Sequence, residues 1–261
     1  MTGDATAEAL RKPQASRHMP QAGGRKPQVE FLVAIDGTAG SGKSTTAKLA
    51  ARELGFFHLD TGAMYRAITL KAVRSRTDPA DTAGLERMLA GTRVELKPAN
   101  GDNQVLLDGK DVTQEVRSPE VDREVSQVSA VPIVRAHLVT EQRRLARGRQ
   151  VVCEGRDIAS VVFPDADLKF FIDADVHARA IRRRGELKEK GVELSDRSVR
   201  DNLTERDYID STRAVSPLTR VPEAIVIDTT NLTVEEEVMI VVNIARMRMA
   251  RMGNQPLTPN P

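Results

Sequence analysis

Residues 31–45 read FLVAIDGTAGSGKST, and this stretch decides the fold. Its first five residues form a continuous apolar run, which is typical of a strand buried on both faces of a parallel sheet. Gly37–Ser44 satisfies GxxxxGK[ST], in which glycines let successive backbone N–H groups turn inward and form an anion site at a helix start. A helical pattern over 43–54 follows. The strand–loop–helix context predicts a site for nucleotide phosphates.

The loop motif assigns roles to its own residues. Lys43 is expected to reach the β- and γ-phosphates of a nucleoside triphosphate, and the Ser44 hydroxyl to bind Mg²⁺. The expected nucleotide contacts are Gly37, Thr38, Ala39, Gly40, Ser41, Gly42, Lys43, Ser44 and Thr45. The motif predicts phosphate binding but leaves the reaction open.

The rest of the chain predicts an α/β protein. Apolar runs at 151–153, 168–172 and 224–227 indicate further strands, and another strand ends at Asp60. Helical patterns separate them, so a five-stranded parallel sheet flanked by helices is the simplest interpretation. The helices are expected at about 43–54, 62–76, 80–91, 118–147, 175–190, 195–212 and 233–252.

Residues 92–117 have a different pattern. Apolar and polar residues alternate at 94–97 and 104–106, and Asp108-Gly109 is typical of a hairpin turn. These residues predict a small inserted antiparallel sheet with one solvated face.

Composition excludes some classes of function. The chain has 40% hydrophobic and 29% charged residues, with two Tyr, six Phe and no Trp, so a base-stacking nucleic-acid surface is not expected. Residues 1–28 hold five Lys or Arg against two acids, a net +3, which leaves −1 for the body of a +2 chain. A sequence-independent nucleic-acid binder needs a basic face instead.

The number of cysteines and the hydropathy of the chain indicate the cellular compartment to expect. Cys153 is the single cysteine, which excludes an intramolecular disulfide and fits a reducing, cytoplasmic compartment. No stretch approaches the ~20 apolar residues of a membrane span, so no membrane partner is expected. Residues 1–28 and 254–261 are predicted to be loose tails.

Three more polar groups are expected at the carboxyl edge of the sheet, where ligands bind in open α/β folds. They read DTGAMYR at 60–66, EGRD at 154–157 and ERDYIDSTR at 205–213. In the third, Arg206, Asp210 and Arg213 share one helix face, which is equally typical of a solvated salt-bridge ladder. Thr61 has an alternative role as a helix N-cap.

Together with SQVSAVPIVR at 126–135, VVFPDA at 161–166 and RAVSPL at 213–218, these motifs closely resemble the bacterial-type cytidylate kinase family. The resemblance covers about residues 33–253. It implies an ATP-dependent nucleoside monophosphate kinase acting on CMP and dCMP, and a monomer. It also implies one domain over 29–253, with a monophosphate-binding insert at about 80–147 and a helical lid at about 178–212.

The resemblance implies roles for the acceptor-side residues. Ser126, Arg135 and Asp157 would read the cytosine, and Arg66 and Arg156 would hold the acceptor phosphate.

The same resemblance places other residues around the sugar and the transferring phosphates. Asp210 with Arg206 would meet the sugar hydroxyls, Tyr65 would line the acceptor pocket, and Thr61 stands where the family has Ser or Thr. Arg213 would lie near the transferring phosphates. The lid arginines expected to close over ATP are Arg182, Arg183 and Arg184, and the expected catalytic set is Lys43, Arg156, Arg184 and Arg213.

The base assignment is consistent with the chemistry of cytosine. Cytosine presents an amino donor and an acceptor at N3, so a carboxylate from Asp157 and a guanidinium from Arg135 complement it. Uracil reverses both polarities and would leave buried polar groups unpaired. The sequence therefore predicts a preference for CMP over UMP.

Two alternatives remain open from the sequence. One is a P-loop kinase of another small acceptor, such as UMP or shikimate; the other is a regulatory NTPase that needs no acceptor, although no NKxD guanine signature is present. Asp36, after the first strand, has two possible roles: holding a metal-bound water, or fixing the loop.

Overall fold

The structure is a computed structural model that describes residues 30–99, 102–189 and 191–253. The two predicted tails, 1–28 and 254–261, lie outside the described residues. In chain order the helices and strands are β1 (Phe31–Gly37), α1 (Lys43–Leu54), β2 (Phe57–Asp60), α2 (Thr61–Ser75), α3 (Thr82–Ala90), β3 (Val94–Ala99), β4 (Asp102–Leu107), β5 (Lys110–Asp111), α4 (Pro119–Ala130), α5 (Pro132–Ala146), β6 (Gln150–Gly155), β7 (Leu168–Asp173), α6 (Val176–Glu189), α7 (Asp196–Thr212), β8 (Ile225–Asp228) and α8 (Val234–Gly253).

Strand β1 lies at the centre of a five-stranded parallel sheet with the order β2-β6-β1-β7-β8. All seven of its residues are buried. Val33 and Ile35 join the apolar cluster that includes α1 and α8. Leu32 and Ala34 join the opposite cluster, which includes α2 and α5. This alternation follows from the two-residue period of a strand, and it confirms the predicted parallel sheet with helices on both faces.

The predicted small sheet is also present, as antiparallel strands in the order β3-β4-β5. Leu107 pairs with Lys110, and the two residues between them, Asp108 and Gly109, have φ angles of 50° and 80°. Positive φ at both central positions is the signature of a type I′ hairpin turn. Val94 and Leu96 of β3 and Val105 and Leu107 of β4 pack into the same core cluster as α2 and α5.

One predicted helix differs from the structure. The pattern at 118–147 corresponds to two helices, α4 and α5, that meet at Val131. Pro132 cannot donate a backbone hydrogen bond, and it keeps the preceding Val131 extended, with φ −70° and ψ 124°. Pro132 then occupies the first turn of α5, where its missing N–H costs nothing.

Over the residues that the structure describes, none of the helices combines the length and the apolar character needed to cross a bilayer.

The hairpin turn gives a test of the insert. We expect Gly109→Ala to lower the free energy of unfolding by about 1 kcal/mol, because an alanine at this left-handed position is strained. Gly91→Ala is the matched control: Gly91 has φ −107° and open space around it, so the same change should leave stability unaltered or raise it by about 0.4–1 kcal/mol. Urea denaturation compares the two variants, and equal effects would contradict this reading of the turn.

Candidate active site

The phosphate loop connects β1 to α1 and has glycines where its backbone requires them. Gly40 and Gly42 are left-handed, with φ angles of 74° and 94°. At Gly37 a Cβ atom would lie 2.0 Å from the carbonyl oxygen of Ile172 in β7. Gly37 is therefore required by the close approach of the neighbouring strand, as well as by the loop.

Lys43 begins α1 and is buried, with its Nζ atom 3.3 Å from the carbonyl oxygen of Thr38. Burial and the nearby Arg156 guanidinium lower the pKa of Lys43, and Glu154 opposes them. The Ser44 and Thr45 side chains are exposed on the first turn of α1. The loop therefore presents a desolvated cation beside accessible hydroxyls.

A buried acid that sequence reasoning missed supports the loop from α8. Glu237 is 2% exposed, and its Oε2 atom accepts a hydrogen bond from the Thr46 hydroxyl at 2.5 Å. A Cβ atom on Gly42 would lie 3.0 Å from the same oxygen, and burial raises the pKa of Glu237. The sequence gives little signal, because Glu235, Glu236 and Glu237 together look like a solvated helix start.

Asp36 fixes the segment after β6. Its two carboxylate oxygens accept the backbone N–H groups of Ile158 and Ala159, each at 2.8 Å. Burial raises the pKa of this carboxyl to about 6, and the two backbone hydrogen bonds oppose that shift. These hydrogen bonds hold the chain directly after Arg156 and Asp157 rather than the phosphate loop, and the role of Asp36 in holding a metal-bound water stays a prediction.

The start of α2 is tied to the same strand. Asp60 is the N-cap, since its carboxylate accepts the Ala63 N–H at 2.8 Å. Thr61 is therefore not the cap; its hydroxyl donates to the carbonyl oxygen of Glu154 at 2.7 Å. These contacts bring Tyr65 and Arg66, one turn further along α2, towards the end of β6.

Asp157 lies in a buried ion-pair cluster. Its Oδ2 atom is 2.6 Å from Nη2 of Arg135, and the two side chains are 4% and 2% exposed. Arg135 also donates to the carbonyl oxygen of Ser129 at 2.9 Å, and its guanidinium lies 5.1 Å from the centre of the Tyr65 ring. Ser126, half-buried, lies one turn before Ser129 on α4.

Three of the predicted site arginines form ion pairs with two acids. Arg156 Nε is 2.7 Å from Asp210 Oδ2, and Arg213 Nη1 is 3.3 Å from Asp210 Oδ1. Asp210 and Arg213 are buried, so this face of α7 is not a solvated salt-bridge ladder. Arg66 pairs instead with Asp122 of α4, at 2.5 Å.

Arg206 is the exception in this cluster, because none of the described acids lies within ion-pair distance of it, including Asp210 four residues along α7. Burial and the like charges of Arg156 and Arg66 together lower the pKa of Arg206 to about 10, although Asp210 and Asp122 oppose the shift. An anion that binds next to this guanidinium would stabilise its charged form.

Helices α6 and α7, the predicted lid, pack directly against the phosphate loop. Arg179 donates to the carbonyl oxygen of Ala39 at 2.9 Å and pairs with Asp207. Asp207 in turn accepts the Ala39 N–H at 2.9 Å. Sequence reasoning did not single out Arg179 or Asp207 as contacts of the loop.

The three predicted lid arginines take different positions. Arg182 hydrogen-bonds Thr229 and lies 3.5 Å from the carbonyl oxygen of Ser41. Arg183 faces Asp122 at 3.2 Å. Arg184 pairs with Asp196 and is 49% exposed. Of these three arginines, Arg182 is the one beside the phosphate loop, where Arg179 also lies.

Comparison with known proteins places the chain in a family. The family model described as cytidylate kinase matches residues 33–247. Among curated relatives, the cytidylate kinase of Pelotomaculum thermopropionicum is 51% identical over 211 residues, which cover 80% of this chain and 93% of that protein. The cytidylate kinase of Symbiobacterium thermophilum is 49% identical, over 80% and 93% of the two chains. That of Caldicellulosiruptor saccharolyticus is 46% identical, over 81% and 94%.

The match extends over nearly all of the described residues, and it includes the phosphate loop, the ion-paired Arg135 and Asp157, and the arginines of α7. The chain therefore belongs to the cytidylate kinase family.

Proposed function

We propose that this protein transfers the γ-phosphoryl group of ATP to the 5′-phosphate of CMP or dCMP, giving ADP and CDP or dCDP in pyrimidine nucleotide metabolism. The observation that carries the proposal is the convergence of Arg66, Arg156 and Arg206 between the phosphate loop and the Arg135–Asp157 pair. An NTPase without an acceptor has no use for a second anion site. The curated relatives are named cytidylate kinases.

ATP is the proposed donor, bound by Gly37–Thr45, with Lys43 at the β- and γ-phosphates. Mg²⁺ fits beside the loop, because the exposed Ser44 hydroxyl lies near Glu154, whose Oε1 atom is buried without a hydrogen-bond partner among the described residues. Hydroxyl and carboxylate oxygens are suitable ligands or water-holders for Mg²⁺. When bound, the ion would neutralise charge on the phosphate oxygens.

On the acceptor side, Arg66 and Arg156 would hold the 5′-phosphate. Arg206 has no ion-pair partner among the described residues, and this supports phosphate binding beside it. Asp210 with Arg206 would contact the sugar hydroxyls. Tyr65, whose buried hydroxyl has no partner among the described residues, would line the pocket. Thr61 would act by holding α2 to β6.

The cytosine is proposed to bind at Arg135, Asp157 and Ser126. Arg135 engages only one oxygen of Asp157 closely, at 2.6 Å, while the other lies 3.7 Å from Arg213. That second oxygen is the proposed acceptor for the cytosine amino group, and Arg135 donates to N3 or the 2-carbonyl.

Catalysis then consists of positioning and charge neutralisation. The acceptor oxygen is already anionic, so it needs no strong general base. Lys43, Arg156, Arg213 and Arg184 are proposed to stabilise charge that spreads over the transferring oxygens. Closure of the lid excludes water and suppresses ATP hydrolysis.

The broader organisation is also a proposal. We expect one kinase domain over 29–253, with the insert at about 80–147 moving against the core and a lid at about 178–212. A cytoplasmic monomer is the form proposed for the enzyme.

An acceptor panel tests the reaction. With ATP and Mg²⁺, CMP and dCMP should give rapid ADP formation, whereas UMP, AMP and shikimate should give little. A coupled assay for ADP measures the rate with each of these five acceptors. If ADP formed as fast without any acceptor as with CMP, the kinase assignment would be overturned in favour of an NTPase.

Base selection is tested at Asp157. We expect Asp157→Asn to reduce the CMP over UMP preference in kcat/KM by about 10- to 100-fold, because the amide can donate to the uracil carbonyl and no longer supplies a charged acceptor. The KM for ATP should stay unchanged. Asp165→Asn, an exposed acid after the same segment, is the control. Unchanged selectivity in Asp157→Asn would remove it from base recognition.

Lys43 gives a pH prediction. Its pKa is lowered in the free protein, and the bound triphosphate favours the charged ammonium, so binding raises that pKa and takes up protons between the two values. The affinity of the wild type for ATP should therefore fall as pH rises through this range. Calorimetry of ATP binding in two buffers of different protonation enthalpy measures the proton uptake. Lys43→Met should lack the part of this uptake that comes from Lys43. Identical uptake in both proteins would contradict the role of Lys43.

A further inference from the structure

We propose that Asp122 is an internal counter-ion that competes with the 5′-phosphate of the acceptor for Arg66 and links that exchange to the lid through Arg183. The proposal rests on the proposed function in one respect, namely that Arg66 binds the acceptor phosphate.

Asp122 lies between two arginines from different parts of the fold. Its Oδ1 atom is 2.5 Å from Nη1 of Arg66 in α2, and its Oδ2 atom is 3.2 Å from Nη2 of Arg183 in α6. All three side chains are only 20–24% exposed. One carboxylate thus joins the acceptor side of the cleft to the lid.

The carboxylate is held in its charged form. Burial alone would raise the pKa of Asp122, but Arg66, Arg183 and Arg206 together lower it below the usual value for an aspartate. The Asp122 carboxylate is therefore already paired with Arg66 when a phosphate dianion approaches that arginine. Because the dianion carries more charge than the carboxylate, it displaces Asp122, and the displacement reduces the net affinity for the phosphate.

The second ion pair carries the exchange to the lid. The other partner of Arg183 is Glu186, three residues along the same helix and 58% exposed. Among the described acids, Asp122 is thus the partner of Arg183 that lies outside α6. When Arg66 turns to the phosphate, Asp122 remains with Arg183 alone, and acceptor binding strengthens the contact between α4 and the lid.

Asp201 offers a control for the loss of one negative charge. It lies on α7, pairs with Arg197 at 3.7 Å, and is 73% exposed. Asp201→Asn changes the net charge by the same amount as Asp122→Asn without touching the arginine cluster.

The test compares CMP with cytidine, which lacks the phosphate, by equilibrium binding to the full chain. Asp122→Asn should bind CMP about 2- to 5-fold more tightly than the wild type and bind cytidine equally. Asp201→Asn should change neither. Asp122→Ala repeats the measurement with a good helix former, in case the amide perturbs folding. Equal changes for CMP and cytidine, or unchanged CMP binding, overturn the proposal.

The link to the lid is measured by amide hydrogen exchange in α6. CMP should slow exchange at 176–189 in the wild type, and the slowing should be smaller in Asp122→Asn than in Asp201→Asn. Equal slowing in all three proteins overturns the lid part of the proposal.

Arg66→Met separates this inference from the proposed function. If Arg66 binds the acceptor phosphate, this variant loses most of the preference for CMP over cytidine. Retention of that preference would refute the acceptor site itself. Loss of the preference in Arg66→Met together with unchanged CMP binding in Asp122→Asn would refute the role of Asp122 alone.

Discussion

An excess of positive charge among partly buried side chains is the constraint on which the arrangement of the site depends. Lys43, Arg156 and Arg206 influence one another's ionisation, and burial lowers the pKa of Lys43 and of Arg206. Isolated buried charges are costly, so each needs a counter-ion. Asp210 and Asp122 provide it for Arg156 and Arg66, whereas Arg206 has no such partner among the described residues. The cluster therefore keeps positive charge that a bound anion would neutralise.

The parallel sheet holds these charges in place. β1 and β6 run side by side with Asp36 opposite Gly155, so the phosphate loop and the segment with Arg156 and Asp157 leave the same edge of the sheet. This is the edge at which ligands bind in open α/β folds. The two backbone hydrogen bonds to Asp36 and the one from the Thr61 hydroxyl to the Glu154 carbonyl oxygen fix that geometry.

Much of this architecture could be predicted from local patterns. The loop over 37–44, the buried strands and the Asp108-Gly109 turn each have a local signal, because backbone conformation there is set by glycine or by continuous apolar residues. The break at Pro132 also has a local cause, although helical periodicity on both sides of it suggested one helix over 118–147. The family resemblance supplied roles for residues such as Asp157 and Arg135 that no local pattern distinguishes from structural ion pairs.

Other parts depended on tertiary contacts. Glu237 and Asp122 resemble ordinary surface acids in the sequence, and only the packing of α8 and α4 shows that each faces the site. In α6 the helical period places Arg179, Arg182 and Arg183 on one side of the helix. The three consecutive arginines at 182–184 made this side hard to recognise in the sequence. The role of Arg184 in catalysis stays a prediction, and its pairing with Asp196 means that it would have to move to reach ATP.

The central claim is that the acceptor phosphate lies in the arginine cluster opposite the phosphate loop. A crystal structure with CMP and a non-hydrolysable ATP analogue tests it most directly. We expect the 5′-phosphate oxygens within about 3 Å of guanidinium nitrogens of Arg66 and Arg156, with the cytosine amino group at Asp157. A 5′-phosphate bound away from both arginines, or a base that does not contact Asp157, would contradict the account.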